Sequence, residues 1–211
     1  MKIYKGLLGV LGVALLASCI EHEVIEKPTE EVDLNPYFIC QLEGSPFELI
    51  KDVDGYDGES RQVVVYDTIP DPSTVQYYYK MSGDQPEAIE IGIGKLNFNA
   101  SGVNERPDLG DVLNYLEGNM MPDFSDTTEN GVEVLFTDGS GHLWRTSEMS
   151  AEPQFFQFTS LEEESDSSGD YVKFVAQFSC ELYDSLEALD IERVDTIRID
   201  GATLEGYFKV K

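Results

Sequence analysis

Short runs of β-branched and aromatic residues recur along most of the chain, each closed by a cluster of Gly, Pro, Asp or Ser. "YFICQLEGSPFELI" holds two such runs about a Gly-Ser-Pro break, and "RQVVVYDTI" and "TVQYYYKM" are separated by "PDPS". "EAIEIGIGKLNF" sets Ile89, Ile91 and Ile93 against Glu90, Gly92 and Gly94, an alternation with the period of a strand. "GVEVLFT" and "HLWRT" flank "DGSG", a strong hairpin signal. "QFFQFTSL", "YVKFVAQFSCEL", "DTIRI" and "TLEGYFKV" complete the series, with Asp200-Gly201 expected as a tight turn between the last two. The spacing predicts an all-β domain: an antiparallel β-sandwich, or a partly open barrel, of about nine or ten strands. Strand and helix patterns do not alternate, which argues against a parallel sheet.

One segment departs from this pattern. "DLGDVLNYLEGN" places Leu109, Val112, Leu113 and Leu116 on a single helical stripe. Pro107 precedes it, Asp108 is the expected N-cap and Gly118 the expected stop. A short helix covering one end or face of the sheets is predicted.

The N-terminus follows a different logic. Lys2 and Lys5 supply positive charge, Gly6 to Ala17 are apolar, and "LASC" ends the run at Cys19. The apolar run is only about twelve residues long, well short of the ~20 that a spanning helix needs. This is the layout of a secretory signal peptide, residues 1–18. "LASC" resembles the lipobox of bacterial lipoproteins, in which the cysteine thiol is lipidated and becomes the new N-terminus. The resemblance makes Cys19 the lipidation site and the membrane the first partner, because two or more acyl chains anchor stably. Residues 19–33, with the acidic "IEHEVIEKPTEEVD", read as a tether, and residues 34–211 as a single domain. An acidic run after the lipidated cysteine also resembles the export signal of surface lipoproteins in Bacteroidetes. That implies an outer-membrane lipoprotein exposed at the surface, with a periplasm-facing location as the alternative.

Charge narrows the classes of partner. Of 211 residues, 41 are Asp or Glu and 14 are Lys or Arg, a formal net charge of −27. Losing Lys2 and Lys5 with the leader makes the mature chain more negative still. Nucleic acid is excluded as a partner, since phosphate binding needs clustered cations. Disorder is not implied, because 41% of residues are hydrophobic and 11% aromatic, enough for a packed core.

Cys40 in "FICQL" and Cys180 in "FSCEL" each share a strand face with flanking Phe and Leu, so both point into a core. In an exported protein they form either a disulfide or two buried thiols.

The early "FICQLEGSPFEL", the late "YVKFVAQFSCELYD" and the closing "IRIDGATLEGYFKV" resemble small Bacteroidetes-type cell-envelope lipoproteins with a β-sandwich domain. The resemblance is loose over most of the mature chain. It implies fold and location, not an activity.

Catalytic chemistry is thinly provided. Of two histidines, His22 lies in the tether and His142 beside the "DGSG" turn, too close to Ser140 in sequence to form a triad with it. His and Cys show no zinc spacing. Carboxylates are too numerous to nominate a hydrolytic pair, so a hydrolase is the least favoured reading. "DVDGYDGES" gathers Asp52, Asp54, Asp57 and Glu59, a possible calcium loop, though its order fails the EF-hand spacing and a solvated hairpin loop is favoured. No cofactor is otherwise expected. Tyr77 and Tyr79 share one face of "QYYYK", Tyr78 the other, and Trp144 follows a turn. Tyr77, Tyr79 and Trp144 are the candidates for stacking on a glycan, with a core position the favoured reading of each. The expected function is a lipid-anchored, non-enzymatic binding or structural protein of the envelope. Two alternatives are a carbohydrate-binding accessory lipoprotein, if exposed aromatics line a groove, and a subunit of a surface fibre or envelope complex, if a terminal strand is left unpaired.

Overall fold

The computed structural model describes residues 31–67, 72–100, 102, 105–125, 131–148, 150, 152–184 and 195–211. The leader, Cys19, the tether up to residue 30 and the first two residues of the "PDPS" turn lie outside the described residues. The described residues form ten strands: β1 (Tyr37–Leu42), β2 (Ser45–Ile50), β3 (Asp57–Val65), β4 (Ser73–Ser82), β5 (Ala88–Phe98), β6 (Val132–Thr137), β7 (Leu143–Thr146), β8 (Phe155–Asp166), β9 (Gly169–Asp184) and β10 (Thr196–Lys209). Among the described residues one helix, α1 (Leu109–Gly118), lies between β5 and β6. The strands form one antiparallel sheet in the order β2-β1-β10-β9-β7-β6-β5-β4-β3, with β8 also paired to β9. The all-β sandwich-like architecture with a single short helix is as the sequence predicts, and the sheet does not close into a barrel.

The sheet folds over one core. Tyr79 of β4 packs against Phe174 of β9 and Tyr207 of β10 at 5.6 and 5.4 Å between ring centroids. Phe47 of β2 meets Phe136 of β6 at 5.5 Å. Strands far apart in the sheet order therefore face each other, and aromatic rings fill the space between them. Where edge strand β3 approaches β10, side chains replace ladder bonds. Lys209 N–H donates to Ser60 Oγ at 2.8 Å, Gln62 Nε2 donates to the Val210 carbonyl at 3.0 Å, and Tyr207 Oη donates to the Gly58 carbonyl. These bonds hold the nearest approach to closure.

Four local expectations are corrected. Asp200-Gly201 is not a reversal: β10 runs through it, paired to β1 on one side and β9 on the other, with a register shift between Ile199 and Ala202. Gly201 takes a φ of +57° and donates its N–H to Ser179 Oγ, so the "DG" signal marks a bulge. The acidic "DVDGYDGES" is split between a turn and β3, which begins at Asp57. Asp108 sits at the N-cap of α1 but makes no side-chain capping bond; its carboxylate pairs with Lys211 at 2.6 Å. Gly118 remains helical, and Asn119 closes the helix through its N–H to Leu116 O and its amide to Tyr115 O. Val112 and Leu116 anchor α1 in the core, with Leu109 and Leu113 packed at its margin.

Residues just before β1 are tied to the sheet. Val32 N–H donates to Asp166 Oδ2 at 2.9 Å, and Lys51 Nζ donates to the Leu34 carbonyl at 2.6 Å.

Candidate functional site

The end of β5 and the start of α1 enclose a groove of about 570 Å³. β5 carries an apolar alternation up to Leu96, after which "NFNA" supplies amides at Asn97 and Asn99 about Phe98. Pro107, buried, turns the chain into α1, and the helical period places Asp108, Asp111, Asn114 and Tyr115 along the same groove. Phe98 and Tyr115 are half-buried, whereas Asn97, Asn99, Glu105, Asp108, Asp111 and Asn114 are exposed. Tyr66 meets Phe98 edge-on at 6.4 Å. Arg106 donates to Tyr66 Oη and to the Glu105 carbonyl, which orients its guanidinium beside the rings.

Electrostatics follow from these contacts. The hydrogen bond from Lys211, with the attraction of its charge, holds the Asp108 carboxyl below the usual carboxylate range. Burial pushes the Tyr115 hydroxyl up to about 12, so it stays a neutral donor. The groove thus combines planar amides, carboxylates and one guanidinium around apolar ring surface. Such a set can donate to and accept from neighbouring hydroxyl groups while covering the apolar face of a ring.

The residues nominated from sequence lie elsewhere. Tyr77 and Tyr79 are both 0% exposed, and their faces are covered by core aromatics, including Phe208 against Tyr77. This is the core position favoured for both rings from sequence, and the alternative that they stack on a glycan is corrected. Tyr78 faces the outer side of the sheet, covered by the Arg61 guanidinium 3.7 Å from its centroid. Trp144 is half-buried, lies away from the groove, and donates its Nε1–H to Asp138 Oδ2 at 2.9 Å, with His142 edge-on at 4.9 Å. From β7 it is held against the β6–β7 turn rather than presented as a platform. Burial alone would raise the Asp138 carboxyl. The hydrogen bonds from Ser140, Trp144 and the His142 N–H outweigh it and bring the pKa to about 2.

Cys40 and Cys180 share the core, but as free thiols. β10 runs between their strands, so their Cα atoms are about two strand spacings, or ~10 Å, apart, beyond the reach of a disulfide. The pairing alternative is corrected by that intervening strand. Burial, with the nearby Asp200 charge, pushes the Cys40 thiol up to about 12. Cys180 is raised mainly by burial.

Asp52 and Asp54 occupy a turn with positive φ, while Asp57 and Glu59 project from alternate positions of β3. Among the described residues no three His, Cys, Asp or Glu side chains converge as a metal-binding group. Ser140 Oγ donates to Asp138 at 2.6 Å, and His142 Nε2 lies 3.2 Å from Asp184 Oδ1, so Ser140 and His142 point to different partners. Among the described residues Glu133 is the one buried carboxylate, and it pairs with Arg145.

Sequence reasoning missed Asn97, Phe98, Asn99, Glu105, Arg106, Asp111, Asn114 and Tyr115 as a group. The available signal was the change from apolar alternation to "NFN" at the end of β5. Nothing local says that this end meets α1. No family model matches the chain, and no curated protein or solved structure matches it either.

Proposed function

We propose that this protein is a lipid-anchored protein of the cell envelope that binds carbohydrate without turning it over. The observation that carries the reading is the groove between β5 and α1. Three amides, three carboxylates and Arg106 surround half-buried Phe98 and Tyr115, the mixed polar and aromatic lining that polyhydroxyl rings need. The "LASC" leader supports the anchor, and the acidic tether supports display at the outer-membrane surface. A fibre subunit is less well supported. Of the described strands, the first, β1, and the last, β10, are each paired on both sides, and neither is left for another chain.

A glycan array probed with the soluble fragment from Ile20 onward tests the reading. Neutral glycans are expected to bind. Asn99→Ala and Asn114→Ala each remove exposed hydrogen-bonding groups and are expected to weaken binding by about two- to tenfold. Glycan binding that both variants leave intact, or no glycan binding at all, overturns the assignment.

A further inference from the structure

A second groove of about 620 Å³, on a different part of the molecule, lies where β8 begins. Met121, Pro122, Asp123 and Phe124 form one side, and Gln154, Phe155 and Phe156 the other, with Glu148 at the rim. Two large apolar side chains are open to solvent in it: Met121 is 67% exposed and Phe155 47%.

The backbone beside them is an unfinished sheet edge. Phe158 N–H points away from β9 and donates to the Met120 carbonyl at 2.8 Å. In an antiparallel strand, residues two apart turn their N–H and C=O to the same side. Phe156 therefore turns both groups outward, into the groove, where segment 120–124 has already moved off towards β6 through the Phe124–Val132 bridge. Gln154 adds a buried Oε1 that accepts no hydrogen bond, while its Nε2 donates to the Ser147 carbonyl.

We propose that this edge is a docking site for an extended, basic peptide segment of a partner protein. The segment would add a short strand beside Phe156, exchanging backbone hydrogen bonds with it. Alternate side chains of an added strand fall on one face, so one apolar residue would cover Phe155 and Met121. The exposed carboxylate of Asp123, on a chain of net charge −27, selects Lys or Arg beside it and repels acidic segments. This site is independent of the carbohydrate groove.

The test is to pan a random linear peptide library on phage against the full mature chain. Enriched peptides are expected to alternate an apolar residue with Lys or Arg. Their affinity is expected to fall at least about tenfold on Phe155→Ser or Met121→Ser, both at exposed positions. N-methylation of the central peptide amide is expected to abolish binding, because side-chain docking alone does not need that hydrogen bond. A thermal melt of each variant establishes that it is folded. No enrichment, enrichment of acidic or uncharged sequences, binding that survives Phe155→Ser, or insensitivity to N-methylation overturns the proposal.

Discussion

Two glycines sit on opposite sides of the Tyr79 ring and leave it no spare room. A Cβ at Gly206 would meet Phe174 Cζ and Tyr79 Cε1, both at 2.7 Å. A Cβ at Gly58 would meet Tyr79 Oη at 2.3 Å. The rings are essentially unexposed, so neither can swing aside. Overpacking of this kind costs ~1–3 kcal/mol, and replacing Gly by Ala returns ~0.4–1 kcal/mol by narrowing the unfolded ensemble. Each Gly→Ala change is therefore expected to destabilise by about 1–2 kcal/mol net, or roughly 3–6 °C of Tm at this size. The two sites differ in the Tyr79 atom they crowd most: Oη for Gly58 and Cε1 for Gly206. Tyr79→Phe removes Oη, which is buried with no hydrogen-bond partner, and is expected to be neutral or stabilising by about 1 kcal/mol. In double-mutant cycles followed by urea denaturation, Tyr79→Phe is expected to rescue Gly58→Ala in part, since Tyr79 Cε2 and Pro36 Cγ still lie 3.0 Å from the new Cβ, but not Gly206→Ala, whose clash is with ring carbons. A coupling of about 0.5 kcal/mol or more distinguishes the two. Equal rescue at both sites, rescue at neither, or a neutral Gly206→Ala would refute this packing.

Acid is expected to loosen the β6–β7 turn. The Asp138 carboxyl has a folded pKa of about 2, below the unfolded value of ~3.9, so its contribution is complete above about pH 4 and lost as pH falls through 2. Fluorescence of Trp144, the single tryptophan, should report this, and Asp138→Asn should flatten the acid limb; an unchanged limb counts against the hydrogen-bond account. Cys40 and Cys180 should resist alkylation in the native protein and both react after denaturation without reductant; a disulfide-linked mass, or ready native labelling, contradicts their burial as free thiols. Cys19→Ser should leave an unlipidated precursor that no longer partitions with membranes, and retained anchoring would remove the basis of the envelope assignment.

Strand content was legible because its causes are local. Alternation in "EAIEIGIGK" and the turn chemistry of "DGSG" are satisfied within a few residues, and the apolar stripe of "DLGDVLNYLEG" does the same for α1. Alternation also determines that Tyr77 and Tyr79 share a face opposite Tyr78. Which face is buried depends on Phe174, Tyr207 and Phe208, roughly a hundred residues or more later in the chain, and only the folding-over of the sheet brings them there. Asp200-Gly201 is a local turn signal overridden by pairing on both sides of β10, since reversing the chain there would break ladders with β1 and β9. The same intervening strand keeps Cys40 from Cys180. The groove between β5 and α1 shows the division most directly: amides and carboxylates were visible as types, but their convergence requires β5 and α1 to meet, with Asp108 held by Lys211 at the far end of the chain. Residue type and short-range period are properties of the sequence. Convergence across long loops is a property of the packed core, where burial of Val112 and Leu116 sets the position of α1 and so the wall of the groove.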